Sequence, residues 1–229
     1  MRKLVIIGTS VAASTIFKFV DKYHLYEVIG FAVNREYRTA DTYLGKPVYD
    51  IESLDTIIDK AKDYLFVAIQ WNRLNADRKH VYESLKQEGY KFANLVSPNA
   101  SVNSELIGDN CWITDYVCIE TDVTIGNNVF VKVGAWVGEN SEISDHCFIG
   151  AKSTIGGGVK IGEQSFIGLG AIVFDDTTVG RKCIVGAATA LKRNLPDYCV
   201  YKTMNENFVT KEYDESEIEQ KLLFRKNIR

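Results

Sequence analysis

Hydrophobic residues recur along this chain with two different periods. In the first part, the short β-branched runs KLVIIG (3–8), YEVIGFAV (26–33), YLFVAI (64–69) and FANLV (92–96) predict strands. Helical spacing over 10–23, 52–62 and 73–88, the last with one charged face, predicts helices between them. Strands alternating with helices predict a small α/β domain over residues 1–96 with a Rossmann-like parallel sheet. SPNAS (97–101) then joins it to a second domain over 97–195.

In that second part the period is six. From Ile107 to Leu191, fifteen consecutive sixth residues are all Ile, Val or Leu. Such residues make up about a quarter of the chain, so chance agreement is on the order of one in a billion. Four places after each of the first fourteen comes a smaller side chain, among them Cys111, Ala135, Ser141, Cys147, Ser153 and Cys183. Nine of the fifteen residues that directly follow the aliphatic one are glycine, which suits corners. This hexad predicts a left-handed parallel β-helix of about five coils, with residues 18 apart stacked at the ~4.8 Å strand spacing. The aliphatic and small positions point inward, which makes Cys147 core filler and not a nucleophile.

The outward positions sort into three faces. Trp112, Phe130, Phe148, Phe166 and Ile184 form an aromatic face, Cys118, Trp136, Thr154, Ile172 and Ala190 a second face, and Leu106, Thr124, Glu142, Lys160 and Thr178 a polar one. An outward aromatic column marks an interface, and two apolar faces beside a polar one predict a homotrimer closed through the aromatic face. The corners sort likewise. His146 stacks with Asn110, Asn128, Gln164 and Lys182 beside the aromatic face, and Glu139 stacks with Asn103, Thr121, Gly157 and Asp175 between the second and polar faces.

Composition narrows the function classes. Apolar residues make up 46% and the net charge is −3, which leaves no basic field for nucleic acid. No apolar run reaches the ~18 residues of a membrane span. MRKLVIIGTS is too short for a signal peptide and reads as a first strand. Five cysteines without a CxxC predict reduced thiols and a cytoplasmic protein.

Uninterrupted IGxxxx hexads after an α/β domain resemble the NeuD/PglD-type bacterial sugar acyltransferases. The resemblance implies a nucleotide-sugar-binding first domain and a trimeric β-helix that moves acetyl from acetyl-CoA to an amine or hydroxyl of a sugar used in surface glycan or polysaccharide synthesis. GTSVAAS (8–14) keeps Gly8 and Ser10 of the family's glycine turn, VNRE leaves Asn34 and Arg35 after the second strand, and VAIQWNR (67–73) matches Asn72, so these five residues are implied to bind substrate. The family's CoA-binding positions fall on Gly157, Leu169 and Ala187, with Lys182, Lys192 or Arg193 for the phosphates. The family's histidine-acid pair, by six-residue register, falls on Glu139 and Asn140. A second family histidine falls on Phe148.

Acetyl transfer needs a nucleophile and an acceptor for its proton. Three readings stand open: His146 beside Asp145 as the base, Glu139 beside Asn140, or an amine substrate that arrives neutral. A zinc site of three shared histidines is excluded, since His146 is the sole histidine of the hexad region, and no metal is expected. An acetyltransferase of another small metabolite and a silent scaffold are the remaining classes. DESEIEQKLLFRK (214–226) predicts a short C-terminal helix in a tail over 196–229.

Overall fold

A computed structural model describes residues 2–105 and 107–202. Leu106 and the helix expected over 214–226 lie outside the described residues.

The first domain is a sheet of β1 (Lys3–Ile7), β2 (Glu27–Val33), β3 (Thr42–Tyr43), β4 (Lys46–Asp50) and β5 (Tyr64–Val67), in the order β3-β4-β2-β1-β5. All pairs are parallel except the β3–β4 hairpin. β1 is buried on both sides, as a continuous apolar run in a parallel sheet must be. Helix α1 (Val11–Lys22) sets Ala12, Ala13, Ile16 and Val20 on one buried stripe. Helix α2 (Ala76–Gln87) buries Arg78, Tyr82 and Leu85 at the same helical spacing, so a charged residue occupies a core position.

Two expected elements differ. The helix over 52–62 is only a 3-10 turn, Ile51–Thr56. Beyond it, Asp59 Oδ1 accepts from the Ala61 N–H at 2.9 Å and Asp63 Oδ2 from the Asp59 N–H at 2.9 Å, so side-chain carboxylates take amides that a helix would need. The strand over 92–96 is divided. Phe92 bridges to Leu65 in the first sheet, whereas Leu95–Val96 pairs with Trp112–Ile113 of the next domain.

From there the chain winds as a left-handed β-helix, whose two-residue strands pair in parallel with residues 18 apart. The inward aliphatic positions from Ile113 to Leu191 are buried, as are Cys111, Ser141, Cys147, Ser153 and Cys183. Asn110, Asn128, His146, Gln164 and Lys182 all take the left-handed conformation, φ 52 to 63°, and so form one stacked corner.

The aromatic face is not free to receive another subunit, which corrects the sequence expectation. Trp112, Phe130 and Phe148 are buried within the chain, packed in one core with Leu4, Ile16, Phe31 and Phe66 of the first domain. Phe66 stacks on Phe130 at 5.8 Å, Phe19 meets Trp112 edge-on at 5.8 Å, and Trp71 meets Phe148 at 5.0 Å. The apolar face needed a cover, and the chain's own first domain supplies it. Polar contacts frame the seam: the Tyr23 hydroxyl donates to Asp115 at 2.6 Å, and Lys86 pairs with Asp109.

Phe130 lies fully buried between the two domains, so Phe130→Ala should destabilise the protein by about 3–5 kcal/mol. Urea unfolding should show the loss as a lower midpoint of a single transition. Two separated transitions would mean that the domains do not share this core.

Candidate active site

The corner that carries His146 is a hydrogen-bonded column. Asn110 accepts the Val67 N–H at 2.8 Å and donates to Asn128 Oδ1 at 2.7 Å; Asn128 in turn pairs with His146 Nδ1 at 2.9 Å. Asn128 Oδ1 also accepts from Arg78 Nε at 3.1 Å, so it is the amide nitrogen that meets the imidazole. That contact makes Nδ1 the acceptor and leaves the proton on Nε2, which points at Glu83 Oε1 3.5 Å away. The ring is buried, against Tyr82 at 5.7 Å. Burial holds its pKa below the ordinary imidazole value, aided by the Lys79 ammonium.

His146 therefore does not face a neighbouring subunit beside the aromatic face, as the expected trimer implied. It sits in the seam between domains with its one lone pair engaged. Asp145 does not orient it: Asp145 Oδ1 accepts from the Asn127 backbone N–H at 2.7 Å, one coil below. Burial pushes the Cys147 thiol up to about 12, and its Sγ donates to the Gly162 carbonyl at 3.2 Å, which agrees with filler.

Among the described residues, Glu83, His146 and Glu163 bring potential metal-ligand atoms within 4.8 Å of one another. The Lys79 ammonium pairs with both Glu163 and Glu83. With a lysine as counter-ion and a proton on Nε2, the donor set does not suit a metal ion.

The opposite corner is open. Glu139 and Asn140 are exposed, and Asn140 takes φ 56°. The Glu139 carboxyl is held below the usual range by a backbone N–H and by a hydrogen bond with Glu120, one coil below. Trp136 Nε1 donates to Glu120 Oε1 at 3.2 Å. One coil above, a Cβ on Gly157 would stand 3.3 Å from Glu139 Oε1, so the glycine leaves that carboxylate room. Sequence reasoning missed Glu120; its signal was the spacing of 19 from Glu139, one coil and one residue.

The residues matched to CoA binding flank the second face. Leu169 and Ala187 are exposed on the corner that enters it, while Gly157 and Lys192 lie on the corner that leaves it, with Lys192 Nζ 4.9 Å from the Phe174 ring. Within one chain the two groups do not meet. The residues matched to substrate binding do share one rim, at the carboxyl ends of β1, β2 and β5, where parallel sheets bind ligands. Gly8 (φ +117°) makes the turn, and Ser10 precedes α1 with no side-chain cap bond. Asn34 and Asn72 are exposed, and Arg35 Nε bonds Asp50 Oδ2 at 3.1 Å.

The hexapeptide repeat of succinyl-transferase, as a family, matches residues 142–164 and 158–193. No curated protein matches the chain in sequence. Among solved structures, perosamine N-acetyltransferase from Caulobacter crescentus, a histidine-to-asparagine variant crystallised with CoA and GDP-perosamine, is 28% identical, with a TM-score of 0.77 over 87% of this chain and 93% of that one. The acetyltransferase domain of PglB from Neisseria gonorrhoeae is 24% identical, TM-score 0.75, over 87% and 96%. WeeI from Acinetobacter baumannii AYE is 19% identical, TM-score 0.73, over 87% and 96%, and these last two show the shared fold. Over both domains the chain is thus similar in fold to a sugar N-acetyltransferase, and its β-helix carries the hexapeptide repeat.

The lowered pKa of His146 sets a pH dependence of stability. The folded state holds the imidazole pKa below its unfolded value near 6.5, so the unfolded chain binds that proton more readily. The stability from His146 is present above about pH 6.5 and is lost as the pH falls through the folded value. His146→Asn, which extends the amide column, should flatten the wild-type fall in melting temperature between about pH 7 and 5 and keep transferase activity. A variant that folds normally but transfers no acetyl would reinstate His146 as the base.

Proposed function

We propose that this chain transfers an acetyl group from acetyl-CoA to an amine or hydroxyl of a nucleotide-linked sugar, in the cytoplasm, for surface glycan synthesis. The observation that carries the reading is the two-domain likeness, over 87% of the chain, to an N-acetyltransferase holding CoA and GDP-perosamine. The free thiols of all five cysteines suit a reducing compartment. No described helix is long and apolar enough to cross a membrane.

The acting unit in this proposal is a trimer closed through the second face. Ile172 (43% exposed) lies on that face, Leu169 (62%) and Val133 (42%) on the corner beside it, and an apolar surface of this kind marks an interface. A neighbouring subunit there sets the Leu169–Ala187 corner of one chain against the Gly157–Glu139 corner of another, which gives the thioester two walls. Glu139 is then the base. The substrate amine or hydroxyl attacks the thioester carbonyl, its proton passes to the Glu139 carboxylate, and the CoA thiolate leaves. Glu120 positions that carboxylate, itself held by Trp136.

Glu139→Gln should lower kcat about 100-fold or more while acetyl-CoA binding, followed by calorimetry, stays unchanged. An unchanged kcat would leave the neutral-amine route. Ile172→Lys should move sedimentation from trimer to monomer and abolish transfer; a trimer that persists in this variant would reject the second face as the interface.

A further inference from the structure

The loop that follows β5 carries more constraint than a connection needs. Arg73, Leu74 and Asn75 take φ of 49°, 54° and 63°, three successive left-handed residues that are not glycine. Asn75 is wholly buried, and neither its Oδ1 nor its Nδ2 has a partner. Three carbonyls tie the loop down: Gln70 O accepts from Arg78 Nη1 at 3.3 Å, Trp71 O from the Asn75 N–H at 3.2 Å, and Leu74 O from Gln164 Nε2 at 3.0 Å. Strain of this kind persists where the surroundings over-determine it, and it gathers at ligand clamps.

What the loop presents is Trp71. Its ring is edge-on to Phe148 (5.0 Å, 67°) and tilted against Phe166 (6.2 Å, 60°), yet 47% of the residue is exposed. The indole is thus anchored by its contacts with the aromatic column while much of it faces solvent, and exposed Asn72 stands next to it. This is a rigid aromatic platform with an amide beside it.

We propose that Trp71 is the stacking platform for the sugar ring of the nucleotide-linked substrate. The inference rests on the sugar-nucleotide reading above and adds the residue and the end of the site that hold the sugar. A pyrophosphate at the Gly8–Ser10 turn has two ways to extend. The Gly8 turn lies against the Ala68 carbonyl, where a Cβ would stand 3.6 Å away, so the β5 loop borders it. Toward β2 it meets Asn34 and Arg35, and Arg35 is bonded to Asp50 and Glu52 of the first domain and not to the β-helix. Toward β5 it meets Trp71, which touches the third and fourth coils of the β-helix. The acceptor sugar has to reach the β-helix, so it takes the Trp71 side and the nucleoside takes the other. A pyranose offers a face of C–H bonds with slight positive charge, which complements the negative face of an indole, and Asn72 is placed for a hydroxyl or amine on the ring.

The test is calorimetric titration of the full chain with GDP, UDP and dTDP, followed by an amino-sugar derivative of whichever nucleotide binds. Trp71→Ala should weaken the nucleotide sugar at least tenfold and leave the bare nucleoside diphosphate within twofold, with Trp71→Phe recovering most of the loss. Because Trp71 is half exposed, thermal melting of both variants should stay close to wild type. Equal weakening of sugar nucleotide and diphosphate would assign Trp71 to the nucleobase and overturn the proposal. Unchanged affinity for both, in a wild type that transfers acetyl, would overturn the platform alone. A wild type that binds none of the probes and transfers no acetyl would overturn the sugar-nucleotide reading and the platform with it.

Discussion

One buried cation holds the two domains in register. Arg78 is fully buried and, among the described residues, forms no salt bridge with a carboxylate. Its guanidinium instead donates to neutral oxygens: Asn128 Oδ1, the Gln70 carbonyl, and the carbonyls of Asn128, His146 and Cys147, all between 3.1 and 3.3 Å. Below it lies the Phe130 ring, 4.1 Å from the guanidinium carbon. Burial pulls its pKa down to about 9, and it remains charged at neutral pH. Taking such a charge out of water is tolerable only if nearly every N–H finds an acceptor. A rotation or slide of the first domain by one corner residue would strand several of them, so the register of the joint is a consequence of that single requirement.

From that joint the division of labour among the corners follows. α2 covers the corner of Asn110, Asn128 and His146, and the end of α1 reaches the first coil through Tyr23 and Asp115. Lys132, lodged over the Trp112 ring at 3.3 Å, is drawn into the same seam, and burial lowers its pKa to about 8. The imidazole that looks most reactive in the sequence is thereby spent on structure. In the proposed function the chemistry falls to groups the first domain does not cover, at the far corner and along the second face.

How much of this the sequence carried depended on how many demands each residue met. Inward hexad positions answer one demand, an aliphatic side chain of the right size, and so the β-helix was legible to the residue. The aromatic column was legible as a face that must be covered, but periodicity does not say by what. A tethered domain wins that competition because its effective concentration exceeds that of a free subunit. The surroundings of His146 were not legible, because an imidazole suits proton transfer and hydrogen-bonded columns equally well. The clue was Asn110 and Asn128 at the same corner in earlier coils, since repeated amides at one corner form a ladder. Arg78 lay in a helix judged by its charged face, and nothing local marked it as the buried member. Trp71 and Glu120 acquire meaning only through residues distant in sequence, the aromatic column and Glu139.

For Glu139 to act as the proposed base, its surroundings have to raise its proton affinity. An exposed carboxylate that is already stabilised is a weak base, and in the single chain Glu139 is of that kind. Two carboxyls in contact cannot both stay ionised once water is withdrawn, because desolvation and like charge act together. Trp136 gives Glu120 a fixed donor, which holds Glu120 in place beside Glu139. Closure of a neighbouring subunit over the second face would supply that desolvation. In the proposed trimer, subunit contact would therefore do more than bring the two walls of the thioester site together; by excluding water it would oppose the stabilisation that makes Glu139 a weak base in the single chain.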